Sequence, residues 1–279
     1  MLSKLQTALR ALTALVRTPA LLTEVLAADT AAWRARVLTH AVRWPGLGLA
    51  GLPQVPLAHF LPPNAPAAAR TVTPYAFGEG GSLPTDLLLL RALARQRPGC
   101  RYFEIGTWRG ESAANVAAEA AQVYTLNLSA AELRAQGLPE AYVTLHGYFS
   151  QDLPNVVHLT GSSATFDFAR LAAEAGPFDL IFIDADHRYP AVRHDTAQVF
   201  AHLVGPTTTV VWHDANRQPG QPRWEVLAGL LDGLPSALPG QLAQVGHTLC
   251  AVYAPGPLPT QAPAPYARPA RFAVEVRLA

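Results

Sequence analysis

The sequence predicts an α/β fold, a doubly wound and mostly parallel sheet with helices on both faces, preceded by a helical extension. Three observations carry this. Short apolar runs alternate with amphipathic or Ala-rich segments through most of the chain's second and third quarters and beyond. Strands apolar along their whole length are buried on both faces, as parallel strands are. The first run passes through two glycines into a helical stretch, and two later runs each end on an acid beside a histidine. Polar residues at the carboxyl ends of parallel strands lie where α/β proteins bind ligands.

The elements follow in chain order. Residues 1–75 read as an extension, with two helices broken near Pro19 and then a connector rich in proline between Trp44 and Pro66. Leu2, Leu5, Leu9, Leu12 and Val16 form a helical stripe that needs a packing partner. Residues 76–256 form the main domain. Thr85 is placed to cap a helix carrying Leu87 to Arg95, with Asp86 in its first turn. Strands are expected at Tyr102–Ile105, Val123–Leu128, Asn155–Thr160, Asp179–Asp184, Thr208–His213 and His247–Tyr253. Helices are expected at 111–121, 130–136, 165–175, 188–203 and 222–232. Residues 257–279 form a proline-rich tail ending in a strand pattern, where Phe272, Val274, Val276 and Leu278 alternate with polar or small residues.

Composition narrows the function classes. The 279 residues are half apolar with a net charge of +1, enough for a large core and too little charge for non-specific nucleic-acid binding. Two cysteines far apart read as free thiols rather than a disulfide framework. No apolar run reaches the length of a membrane span and no secretory signal pattern is present, so a cytoplasmic protein without stable membrane insertion is expected. The unpartnered stripe and the terminal strand pattern, both tethered by prolines, point to a homodimer.

Chemistry concentrates in two places. Glu104-Ile-Gly106-Thr107-Trp108-Arg109-Gly110-Glu111-Ser112 closes a strand and opens a helix. Glycines there let backbone approach a ligand, and the helix start presents free N–H groups. The spacing fails the dinucleotide pattern G-x-G-x-x-G, and a carboxylate beside the first glycine suits a ligand that is cationic or bears hydroxyls rather than pyrophosphate. The second place is the pair of strand ends Asp184-Ala-Asp186-His187 and His213-Asp214. On adjacent parallel strands these groups converge. Asp184, His213 and Asp214 are candidate ligands for Mg²⁺ or Mn²⁺, and His187 is a candidate proton acceptor.

With these motifs in this order, the stretch from Thr85 to Ala254 resembles the class I S-adenosylmethionine-dependent methyltransferases. It is most similar to the small metal-dependent O-methyltransferases, whose first motif has the form E-I-G-x-x-x-G-x-S. The resemblance implies a Rossmann-like sheet with an antiparallel last strand. It implies S-adenosylmethionine as cofactor, held by Glu104, Gly106, Thr107, Gly110, Ser112, Asn127, Ser162 and Asp184. Asn127 stands where an acid commonly holds the ribose hydroxyls, and Gly161-Ser162-Ser163 where those relatives commonly have G-D-S. Asp184 and Asp214 correspond to metal ligands and His187 to the basic position, so Asp184 and His187 are the expected catalytic pair. The third ligand, usually an acid or Asn, is His213, Ala215 or Asn216 here.

The resulting expectation is methyl transfer to a hydroxyl of a small molecule or sugar. Two other classes fit parts of the pattern. A non-catalytic binding module is favoured by Asn127 and Ser162. A metal-dependent oxygenase or hydrolase can use the same carboxylates, although no two-histidine, one-carboxylate pattern stands out.

Overall fold

The computed structural model describes residues 30–61, 66–78, 80–263 and 272–277. The stripe at residues 2–16 and the break at Pro19 lie outside the described residues.

The described chain opens with helix α1 (Thr30–Leu38) and continues through the connector to a two-residue strand, β1 (Gln54–Val55). Then follow α2 (Pro84–Arg95), β2 (Arg101–Ile105), α3 (Glu111–Ala117), β3 (Gln122–Asn127), α4 (Ala130–Ala135) and α5 (Glu140–Val143). The second half holds β4 (Val156–Thr160), α6 (Phe168–Ala175), β5 (Phe178–Ile183), α7 (Tyr189–His202) and β6 (Val204–Trp212). A small hairpin, β7 (Asn216–Gln218) and β8 (Gln221–Pro222), leads to α8 (Trp224–Gly233), β9 (Gln241–Val245) and β10 (Ala251–Ala254).

The main sheet has the order β1-β9-β10-β6-β5-β2-β3-β4. β10 runs antiparallel to both of its neighbours, and the other pairings are parallel. Both faces are buried, which explains the continuous apolar runs. Tyr102, Leu180, Phe182 and Val211 pack on one side with α2 and α3. Phe103, Ile181, Ile183, Val210 and Trp212 pack on the other with α6, α7 and α8. This is the period-2 alternation of a strand read on two buried faces.

Three expectations change. The helix expected to be capped by Thr85 begins two residues earlier, at Pro84, whose fixed φ and missing N–H suit a first helical position, and Leu83 is the cap residue. Asp86 then reaches back to accept from the Leu83 N–H at 2.7 Å. The described part of the extension is built into the domain. Trp44, Leu47 and Leu52 join the core, Trp33 stacks on Tyr189 at 4.8 Å, and Asp232 of α8 accepts from Arg36 and bonds His40 at 2.8 Å. Third, residues 272–277 form no strand and are exposed. Alternation alone does not make a strand where no sheet edge is paired with it.

Candidate active site

The carboxyl ends of β2, β3, β4, β5 and β6 lie along one edge of the sheet, and the chemistry collects there. Gly106 leaves β2 with φ 97°, a conformation that disfavours any side chain. A Cβ at this position would lie 2.0 Å from the carbonyl oxygen of Asp184, so the first turn and the end of β5 meet through a bare backbone. Gly110, at φ 82°, caps α3, and its Cβ would strike the Ser150 hydroxyl at 2.3 Å. Between them Trp108 takes φ 43° and stacks on Tyr142 at 4.3 Å. A bulky residue held there points to a turn whose shape is over-determined by its surroundings.

Beside this turn lies a cavity of about 260 Å³, walled by Thr107, Asn127, Leu128, His146, Gln151 and His158 among others. Its volume is below the roughly 300–1,000 Å³ of complete small-molecule sites, so it suits one part of a ligand, such as a nucleoside. Asn127 ends β3 opposite Thr160 and is half-buried, with an amide able to accept from one hydroxyl and donate to another.

Glu104 stands differently from the expectation that it meets the ligand. It is fully buried, pairs with Thr125 across the sheet, and shares a face with Tyr102. Tyr102 donates to its carboxylate at 2.7 Å, Thr125 at 2.8 Å, and Ser112 also bonds it. Burial pushes its pKa up to about 7, against the pull of those hydrogen bonds, with the Asp184 charge adding to the rise. Its path toward the cavity runs through the Thr125 hydroxyl to that of Thr107. Ser112 likewise faces the interior. Ser162 bonds the N–H of Ala164 at 3.3 Å and is outside the cavity wall.

At the ends of β5 and β6 the four predicted groups do converge. Asp184, His187 and Asp214 each bring one ligand-capable atom within 4.8 Å of the others. His187 Nδ1 lies 3.1 Å from Asp214 Oδ2. A carboxylate only accepts, so Nδ1 is the donor of this pair, and in the neutral ring the lone pair is then on Nε2. Asp214, at φ 53°, also receives Arg223 at 3.3 Å on its other oxygen. Burial alone would raise its pKa, but the bonds and charges of His213, His187 and Arg223 lower it to about 2.

His213 is not disposed as the metal ligand that the sequence suggested. Nδ1 lies 3.0 Å from Asp184 Oδ1 and 3.3 Å from Asp214 Oδ2, and Nε2 lies 3.1 Å from Asp86 Oδ2. Burial acts to lower the imidazole's pKa, and the three carboxylates outweigh it and hold the group well above its ordinary value. With both nitrogens facing acceptors, His213 has no lone pair turned to a cation in this arrangement, and the group that could hold a metal ion is Asp184, His187 and Asp214.

Two participants had no signal in the sequence reading. Asp86 is fully buried yet reaches the site from α2, distant in the chain. Arg223 arrives from the residue before α8. An isolated acid at a helix start and an arginine after a Pro-Gly hairpin are common features, and only the topology brings them here.

Residues 103–215 match the family model described as a methyltransferase domain. Among solved structures, the chain is similar to the O-methyltransferase TomG of Streptomyces achromogenes, involved in tomaymycin synthesis and determined with SAM. That likeness has 18% identity over 81% of this chain and 98% of the other, with a TM-score of 0.42. An O-methyltransferase of Bacillus cereus, in complex with SAH, aligns at 17% identity over 80% and 98% of the two chains, with a TM-score of 0.41. No curated protein matches the chain. Among the described residues no helix is long and apolar enough to cross a membrane.

Proposed function

We propose that this methyltransferase domain transfers the methyl group of S-adenosylmethionine to a hydroxyl of a small-molecule acceptor. The observation that carries the reading is the oriented His187–Asp214 pair on the same strand edge as the Gly106 turn and the Asn127 cavity. The residues present suit the cofactor. Thr107 and Asn127 offer hydroxyl and amide partners to a nucleoside, and the Gly106 backbone closes the space toward Asp184.

When bound, S-adenosylmethionine supplies an electrophilic methyl carbon on a sulfonium. The chain's part is to position and to move one proton. Nε2 of His187 has no hydrogen-bond partner among the described residues, and the side chain is 38% exposed. It can therefore take the proton of an acceptor hydroxyl as the oxygen becomes the nucleophile. Asp214 fixes the ring's tautomer and offsets the charge that forms on it, while Arg223 holds the second Asp214 oxygen. Holding the acceptor oxygen in line with the methyl group supplies much of the remaining rate.

The test is incubation with methyl-labelled S-adenosylmethionine and a panel of hydroxylated small molecules and sugars. Label on oxygen is expected, with the rate falling about 10²- to 10⁴-fold in His187→Gln. Label on nitrogen or carbon, or an unchanged rate in a folded His187→Gln protein, would overturn the assignment.

A further inference from the structure

We propose that His146 reads the exocyclic amino group of the cofactor's adenine, its Nε2 accepting from that group inside the cavity beside the first turn. His146 is thereby a specificity-determining residue, selecting adenine over hypoxanthine. The inference deepens the proposed function and rests on it for the identity of the cofactor.

The cavity has the walls a purine needs. Leu128, Leu133, Val143 and Leu159 give apolar surface to the faces of a ring, and Asn127 stands at the end of β3 for the ribose. No acid among the described residues lines it, so an acceptor for an amino group comes from another side chain. The polar side chains there are those of Thr107, Asn127, His146, Gln151, His158 and Thr160. Hydroxyls and amides present a donor or an acceptor as the ligand requires. His158 is equally undecided, since its contact at 3.4 Å is the Ser150 hydroxyl, whose proton can go to the ring or to the Gly147 carbonyl at 3.3 Å. His146 differs. Its Nδ1 lies 3.1 Å from the Tyr142 carbonyl oxygen, which only accepts, so Nδ1 is the donor and in the neutral ring the lone pair is on Nε2.

Three features hold the ring in that state and place. Burial lowers the imidazole's pKa, against the pull of the Tyr142 and Val143 carbonyls, so the ring stays neutral at physiological pH and keeps its lone pair. It meets Trp108 edge-on at 5.1 Å and Tyr142 at 4.9 Å, and those two stack on each other at 4.3 Å. The segment is also fastened to the first turn, with the Gly147 N–H donating to the Trp108 carbonyl at 2.7 Å and the Phe149 N–H to that of Arg109 at 2.9 Å. With Nδ1 bonded to a backbone carbonyl, Nε2 is the ring nitrogen left to a ligand. An N–H of the adenine amino group satisfies it. Hypoxanthine puts a carbonyl oxygen in that place, and two lone pairs then face each other without a proton between them.

The experiment is titration calorimetry of the full chain with S-adenosylhomocysteine and with S-inosylhomocysteine, in which a carbonyl oxygen replaces the amino group. Wild type is expected to bind the adenosine compound at least about tenfold tighter. In His146→Phe, which keeps an aromatic ring against Trp108 and Tyr142, the two affinities are expected to come within about twofold of each other. Nitrogen-15 NMR of histidine-labelled wild type should show Nδ1 of His146 protonated and Nε2 bare, with the Nε2 signal moving upfield when S-adenosylhomocysteine is added. Equal affinities in wild type, a ratio unchanged in a folded His146→Phe, or an Nε2 that is protonated or unmoved by S-adenosylhomocysteine would each overturn the proposal. If His146→Phe does not fold, the wild-type ratio and the NMR decide it. Binding of both compounds without preference would remove His146 and leave the proposed function standing, whereas binding of neither would remove both.

Discussion

Glu104 offers a quantitative test of how the first motif is built. An unfolded glutamate titrates near 4.5, and in the folded protein burial raises this one to about 7. Below 4.5 both states hold the proton and stability does not depend on this group. Between 4.5 and 7 the unfolded chain has released a proton that the folded chain keeps, so stability falls as pH rises, and above 7 the loss is complete. At about 1.4 kcal/mol per pH unit the loss comes to about 3 kcal/mol. With an unfolding entropy of about 2.1 cal/mol/K per residue, that is about 5 °C in melting temperature for a chain of this length. Glu104→Gln keeps the shape and stays neutral at every pH, so other titrating groups cancel when the two proteins are compared. Thermal unfolding from pH 4.5 to 8 should show the wild type losing about 5 °C relative to the variant. A difference constant across that range would mean that the donors Tyr102, Thr125 and Ser112 keep Glu104 ionised throughout, and the burial argument would fail.

Two further substitutions probe the turn and the cavity. Gly106→Ala combines a φ of 97° with a Cβ placed 2.0 Å from the Asp184 carbonyl oxygen, and should destabilise the fold by at least about 2 kcal/mol. A denaturant melt within about 0.5 kcal/mol of wild type would contradict the close approach. Asn127→Asp should tighten S-adenosylhomocysteine about tenfold, because hydrogen bonds to an ionised acceptor are roughly twice as strong. Unchanged affinity in a calorimetric titration would remove Asn127 from the ribose.

Much of the fold was legible because its central strands are buried twice over. Runs such as 180–183 carry apolar residues for both faces, and no amphipathic helix reads that way. The edge was harder. β9 carries Gln241 and Gln244, the latter buried, and β1 is two residues inside a proline-rich stretch, so neither shows strand periodicity. The tail at 272–277 shows the opposite failure, periodicity without a strand, since pattern does not supply a pairing edge. In the site, convergence of Asp184, His187, His213 and Asp214 followed from two adjacent strand ends. The direction of Glu104 was also implicit in strand parity, because residues 102 and 104 share a face and Tyr102 is apolar except at its hydroxyl. Asp86 was not legible, since its role depends on where α2 lands. The role of His213 was hidden for the same reason, because without Asp86 its second nitrogen has no known partner.

Binding of S-adenosylhomocysteine tests the central claim most directly. Titration calorimetry on the full-length protein should give one site per chain. In Thr107→Val the affinity should drop and in His187→Gln it should hold, because Thr107 lines the nucleoside cavity and His187 faces the acceptor. A folded wild-type protein that takes up no S-adenosylhomocysteine at millimolar concentration would contradict the account and leave the fold as a binding module without this cofactor.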